Sequence, residues 1–167
     1  MTLKNELMWS QSVDRSSTEL SISGISATTL AKEFGTPAFI LDETDFRTRA
    51  LDWNDSLQES FGENAGTVYY AAKAFICTEV ARWINDLGIG IDVCTSGELA
   101  VALAGGVNPA KIEVHGNNKS LSEIERAVEV GVGTIVMDSM HEIERVAAAA
   151  TKFGKVQRVY LRLTPGI

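Results

Sequence analysis

Five residues with chemically useful side chains recur along this chain at nearly even intervals: Lys73, Asp92, His115, Asp138 and Arg162. Each stands in or at the end of a short apolar, β-branched run. Lys73 follows VYYAA and precedes AFI, a setting that disfavours an ammonium and makes the amine a better nucleophile. The competing reading is a surface lysine whose stem packs on apolar neighbours. Asp92 lies inside IGIDVC, where a bare carboxylate is costly unless backbone N–H groups or a cation satisfy it. Arg162 sits between Leu161 and Leu163 in a run expected to be buried, and so demands an anionic or acceptor partner. His115 opens the polar loop Gly116-Asn117-Asn118-Lys119, which by composition alone is a turn of good left-handed formers. Asp138 precedes Ser139, and a helix start is enough to explain it.

The elements that must position these groups follow from periodicity. Apolar runs at Thr67 to Ala72, Ile89 to Cys94, Ile112 to His115, Thr134 to Asp138 and Gln157 to Thr164 read as strands, with starts about 22 residues apart. Between them lie segments of helical period. Capping boxes mark three helix starts, Thr95 with Glu98, Ser120 with Glu123 and Ser139 with Glu142. Leu121, Ile124 and Val128 then form one apolar stripe, and Ile143, Val146, Ala147 and Ala150 another. Gly105-Gly106, Gly131 and Gly154 stand where helices end on a left-handed residue.

Repeated strand–helix units imply a parallel sheet, either open or part of a closed eight-stranded barrel. Reactive groups in such folds gather where the strands end, so one edge would collect a lysine, two carboxylates, an imidazole and a guanidinium. Before residue 67 the pattern changes: Leu20 to Ile25 reads as a strand, Ala27 to Phe34 as a helix ended by Gly35 and Pro37, Ala38 to Leu41 as a second strand, and Thr44 to Phe61 as a long helix.

Composition narrows the function. With 167 residues, 45% hydrophobic and 22% charged, the chain has the make-up of a globular protein with a core. A net charge of −7 without a Lys/Arg cluster disfavours nucleic acid. The first twenty residues lack the basic start and apolar stretch of a secretory signal, and no run approaches the ~20 apolar residues of a membrane span, so a cytoplasmic protein without a membrane partner is expected. The two cysteines, Cys77 and Cys94, form neither a CxxC pair nor a zinc pattern, and no metal is expected. Dinucleotide, P-loop and GxSxG signatures are absent.

The segment Tyr69-Tyr70-Ala71-Ala72-Lys73-Ala74-Phe75 resembles the strand bearing the cofactor lysine in barrel-type pyridoxal-phosphate decarboxylases. Gly90-Ile91-Asp92-Val93-Cys94-Thr95-Ser96-Gly97-Glu98-Leu99 and His115-Gly116-Asn117-Asn118-Lys119-Ser120 are similar to the diaminopimelate decarboxylase branch of that family. The resemblance runs from about Leu20 to Ile167. It implies pyridoxal 5'-phosphate as cofactor, held as a Schiff base by Lys73, with Asp92 in the polar network beside it and Arg162 reaching the cofactor region. His115 and Asn117 would line the same face.

The fold implied is an incomplete pyridoxal-phosphate-binding (β/α)8 barrel, about five of eight units. Residues 1–37 would contribute to a β-domain and residues 38–167 would form the partial barrel. The reaction implied is decarboxylation of meso-2,6-diaminopimelate, a small amino acid, to L-lysine and CO2, in a homodimer whose sites use both subunits. The family pattern continues with a ring-stacking histidine, a Gly-rich phosphate loop, a Glu-Pro-Gly-Arg segment and a partner cysteine, none of which lies in these residues. The chain is therefore expected to be an N-terminal fragment or truncated product with little activity alone. The alternatives are an inactive half-barrel remnant or assembly module, and another barrel-type enzyme of the same cofactor, such as a racemase.

Overall fold

A computed structural model describes residues 9–16, 18–63 and 66–166. The chain divides into two compact units, Met1–Asp55 and Ser56–Ile167.

In the first unit β1 (Val13–Asp14), β2 (Ser21–Ile22) and β3 (Ile25–Ser26) form a small antiparallel sheet. The single strand expected over Leu20 to Ile25 is thus a hairpin, because Ser23 (φ 49°) and Gly24 (φ 78°) both take positive φ and reverse the chain. The following helix α1 (Ala27–Phe34) has the anticipated bounds, with Ser26 accepting from the Thr29 N–H at its start. The strand expected at Ala38 to Leu41 does not form. Those residues have no ladder partner and Phe39 is fully exposed, so an apolar run without a neighbouring strand stays irregular. Helix α2 (Glu43–Phe61) is entered through Asp42, whose Oδ1 accepts the Asp45 N–H and whose Oδ2 accepts the Ser10 and Ser12 hydroxyls.

The second unit is the strand–helix repeat. Strands β4 (Tyr69–Ala71), β5 (Gly90–Val93), β6 (Ile112–Val114), β7 (Thr134–Met137) and β8 (Val159–Leu161) form one parallel sheet in chain order. Helices α3 (Thr78–Leu87), α4 (Ser96–Ala104), α5 (Leu121–Val130) and α6 (Met140–Phe153) make the crossovers. Every strand begins and ends inside its anticipated run, so Lys73, His115, Asp138 and Arg162 stand just beyond strand ends.

The register separates two faces. One carries Ile91, Val93, Ile112, Val114, Ile135 and Met137, all buried, together with the helix residues Ile84, Leu99, Ile124 and Val128. Burying an Ile or Val side chain contributes about 1.5–3 kcal/mol, so this layer is the main driving force of the unit. The other face carries Tyr69, Asp92, Glu113, Thr134 and Tyr160, aligned by the pairs Ala71 with Asp92, Asp92 with Glu113 and Glu113 with Thr134. A parallel sheet in sequential order with one apolar, helix-covered face and one polar face is an arc of a barrel wall.

Gly105 departs from the reading of a left-handed helix end. Its φ is −76°, and a Cβ there would stand 2.4 Å from the Ala81 Cβ. The residue is small so that α3 and α4 can approach, and Gly106 supplies the positive φ.

Candidate functional site

The site is built on the ends of the five parallel strands, where backbone bonds extend the ladder by one residue. Ala72 N–H donates to Asp92 O (2.9 Å), His115 N–H to Val93 O (2.7 Å) and Arg162 N–H to Met137 O (3.0 Å). These bonds fix the start of each loop, and so the direction in which each functional side chain leaves the sheet.

Lys73 lies in the turn after β4 and is exposed. Its apolar sequence neighbours do not cover it: Ala72 is buried, and Tyr70 donates its hydroxyl to the Phe75 carbonyl at 2.7 Å. Its charge is still felt by its neighbours. Burial, with the Asp92 and Glu98 carboxylates, pushes the Cys94 thiol up, while the Lys73 ammonium acts on it in the opposite sense.

Asp92, in β5, is half-buried on the polar face, 3.9 Å from His115 Nε2 and 3.8 Å from Cys94 Sγ. His115 is the hub. Its Nε2 lies 2.8 Å from Glu113 Oε1, and its Nδ1 lies 3.4 Å from Arg162 Nη2. Arg162 has the acidic partner its sequence context demanded, Asp138 Oδ1 at 2.5 Å from Nε, although the side chain is 45% exposed and not buried as expected. Asp138 Oδ1 is itself inaccessible and makes this approach off the line of a hydrogen bond. Asp138 is thus more than the start of a helix. Asn117 is exposed in the loop after β6.

Sequence reasoning missed two groups. Glu113 was passed over as one residue of an apolar run, although its parity with Asp92 and His115 places it on their face. Lys119 reads by sequence only as part of a polar loop. It is buried, donating to Gly116 O (2.7 Å) and Val136 O (2.6 Å) and pairing with Glu142 Oε2 (3.1 Å). This changes the third capping box. Glu142 accepts the Asp138 N–H at 2.8 Å and Ser139 makes no side-chain cap, whereas the Thr95–Glu98 and Ser120–Glu123 boxes close as anticipated. Glu123 also accepts the Ser96 N–H, tying one loop to the next at 3.1 Å.

As a donor set, an accessible primary amine on the same sheet edge as an imidazole, a guanidinium and carboxylates fits an anionic aldehyde. The amine can condense with the carbonyl, and the polar groups can satisfy the ring and its charge.

The comparisons agree with this chemistry. The family described as "Pyridoxal-dependent decarboxylase, pyridoxal binding domain" matches residues 43–167, and the chain belongs to it. Pyridoxal phosphate is the cofactor of that family. Within it the chain is similar to proteins named diaminopimelate decarboxylase: that of Mycobacterium tuberculosis is 55% identical over 146 residues, covering 87% of this chain and 32% of the relative. That of Mycobacterium leprae is 48% identical over 161 residues, 96% of this chain and 33% of the relative. The chain thus spans about a third of the length of the curated relatives it matches. Among solved structures, diaminopimelate decarboxylase from M. jannaschii superposes with a TM-score of 0.84 at 28% identity, covering 95% of this chain and 37% of that one. A second crystal structure of that enzyme, in complex with L-lysine, superposes with a TM-score of 0.81 at 28% identity, covering 92% and 36%. The partial barrel expected from the sequence is therefore the architecture found. Among the described residues no helix is long and apolar enough to cross a membrane.

Proposed function

We propose that this chain forms the lysine-bearing part of the active site of a diaminopimelate decarboxylase, which converts meso-2,6-diaminopimelate to L-lysine and CO2. The observation that carries this reading is the gathering of Lys73, Asp92, His115 and Arg162 at one edge of a parallel sheet, in a chain of the pyridoxal-dependent family. Lys73 is the covalent anchor. When bound, pyridoxal phosphate supplies an electron sink for the carbanion left by loss of CO2.

The remaining steps belong to the chain's own groups. Arg162, tethered to Asp138, presents a fixed positive charge toward the cofactor side. His115, next to Asp92, offers an imidazole edge whose proton is held at a defined nitrogen. Asn117 contributes amide donors from the loop after β6. In this reading residues 1–37 belong to a β-domain and residues 38–167 to the barrel. The working protein is a cytoplasmic homodimer acting on a small amino acid, without nucleic-acid or membrane partners, and the groups completing the site lie outside these residues.

The test is chemical. Protein incubated with pyridoxal phosphate and reduced with borohydride should carry a pyridoxyl group on Lys73 by peptide mass spectrometry. Folded protein labelled nowhere, or equally on many lysines, would overturn the assignment. Release of CO2 from meso-diaminopimelate by the full-length parent, measured against stereoinversion of the same substrate, separates a decarboxylase from a racemase.

A further inference from the structure

Glu113 is the mid-strand carboxylate of β6, the central strand of the sheet, with only 12% of its side chain exposed. A carboxylate in that position is costly unless a donor meets it. The donor is the His115 ring, two residues on and therefore on the same face, with Nε2 at 2.8 Å. An ionised carboxylate only accepts, so Nε2 must carry the hydrogen. On the other side of the ring, Arg162 Nη2 faces Nδ1 at 3.4 Å, and a guanidinium only donates, so this longer contact favours a bare Nδ1. Together the two contacts select one form of the imidazole, the neutral Nε2–H tautomer, with the shorter Glu113 contact as the dominant one. Asp92 is a weaker claimant on the same proton, at 3.9 Å.

We propose that Glu113 is a positioning residue of this site. It fixes the tautomer and tilt of His115, and through the bare Nδ1 it gives the Arg162 guanidinium an acceptor opposite Asp138. The result is a chain of contacts, Glu113 to His115 to Arg162 to Asp138, that crosses β6, β7 and β8 and sets where the cationic end of Arg162 stands. The role rests on the reading of this edge as a cofactor site, but the tautomer itself can be observed without cofactor.

The experiment is 15N NMR of the imidazoles in the full chain, which has two histidines, His115 and His141. At neutral pH the His115 spectrum should have a protonated Nε2 and a bare Nδ1, and E113Q should keep that pattern because its amide oxygen accepts the same proton. E113M, similar in volume but without an acceptor, should give a mixture of tautomers, with the His141 signals unmoved. A wild-type ring with hydrogen on Nδ1, or an E113M ring still wholly in the Nε2–H form, overturns the proposal. If E113M does not fold, E113D replaces it: the shortened carboxylate keeps the charge but cannot reach Nε2, and an unchanged tautomer there has the same overturning force. Borohydride labelling of the same samples keeps the two readings apart. The expected tautomer without labelled Lys73 removes the cofactor reading alone, and labelled Lys73 with the wrong tautomer removes this one alone.

Discussion

Lys119 Nζ and Glu142 Oε2 form an ion pair at 3.1 Å with side chains 1% and 4% exposed, between the loop after β6 and the first turn of α6. The lysine also donates to two carbonyls, Gly116 O and Val136 O, so its three N–H groups are all engaged. One end of the pair holds the loop that follows His115, and the other holds the N–H of Asp138. Removing one partner leaves a buried charge uncompensated. Lys119→Met or Glu142→Gln should therefore lower stability by about 3–5 kcal/mol in urea denaturation, and Lys119→Met with Glu142→Leu should recover much of that loss. Single variants within about 0.5 kcal/mol of wild type, the range of ordinary surface changes, would mean that the pair is not load-sharing.

The carboxyl of Glu123 is held below its usual value near 4.5 by the Ser120 N–H, then by the Ser120 hydroxyl and the Ser96 N–H, against the opposing effect of burial. A lowered folded-state value means that the unfolded chain binds the proton more readily. The stabilisation is then complete above about pH 4.5 and is lost as the pH falls through the lower, folded value. Denaturation midpoints measured from pH 6 downward should decline below that point. Glu123→Gln should flatten part of the decline and cost about 0.5–2 kcal/mol at pH 7, as for a lost cap.

Arg162 touches Asp138 with Nε and His115 with Nη2. A lysine presents a single ammonium and cannot span both. Arg162→Lys should weaken pyridoxal phosphate binding by on the order of tenfold, the equivalent of about 1.4 kcal/mol, in an absorbance titration. An unchanged titration would place Arg162 outside the cofactor's reach.

Between α3 and α4, Gly105→Ala should cost about 1–3 kcal/mol in thermal or urea unfolding, because its methyl would meet the Ala81 Cβ and, at 2.8 Å, the Thr78 carbonyl. Gly154→Ala offers the contrast. Nothing stands within 4 Å of its Cβ position, so its cost should come from the φ of 62° alone.

Much of the second unit was legible in the residues. The period of the apolar positions and the boxes at Thr95 and Ser120 are local, and burial of a continuous stripe rewards the same pattern whatever the neighbours are. The first unit was less legible, since Leu20 to Ile25 and Ala38 to Leu41 both read locally as short strands. One became a hairpin through the Ser23-Gly24 reversal and the other, lacking a partner strand, became no strand at all.

The sequence by itself determined that strands and helices alternate, that Lys73, Asp92, His115 and Arg162 share one edge, and that the YYAAKAF and HGNNKS segments resemble a pyridoxal-phosphate family. Only the tertiary structure decided which charges meet. Apolar burial depends on area and repeats every two or 3.6 residues, so it can be read along the chain. An ion pair or a tautomer depends on a few ångströms between groups brought together by strand register and loop path. Lys119 with Glu142, Arg162 with Asp138 and Glu113 with His115 owe their partners to that geometry.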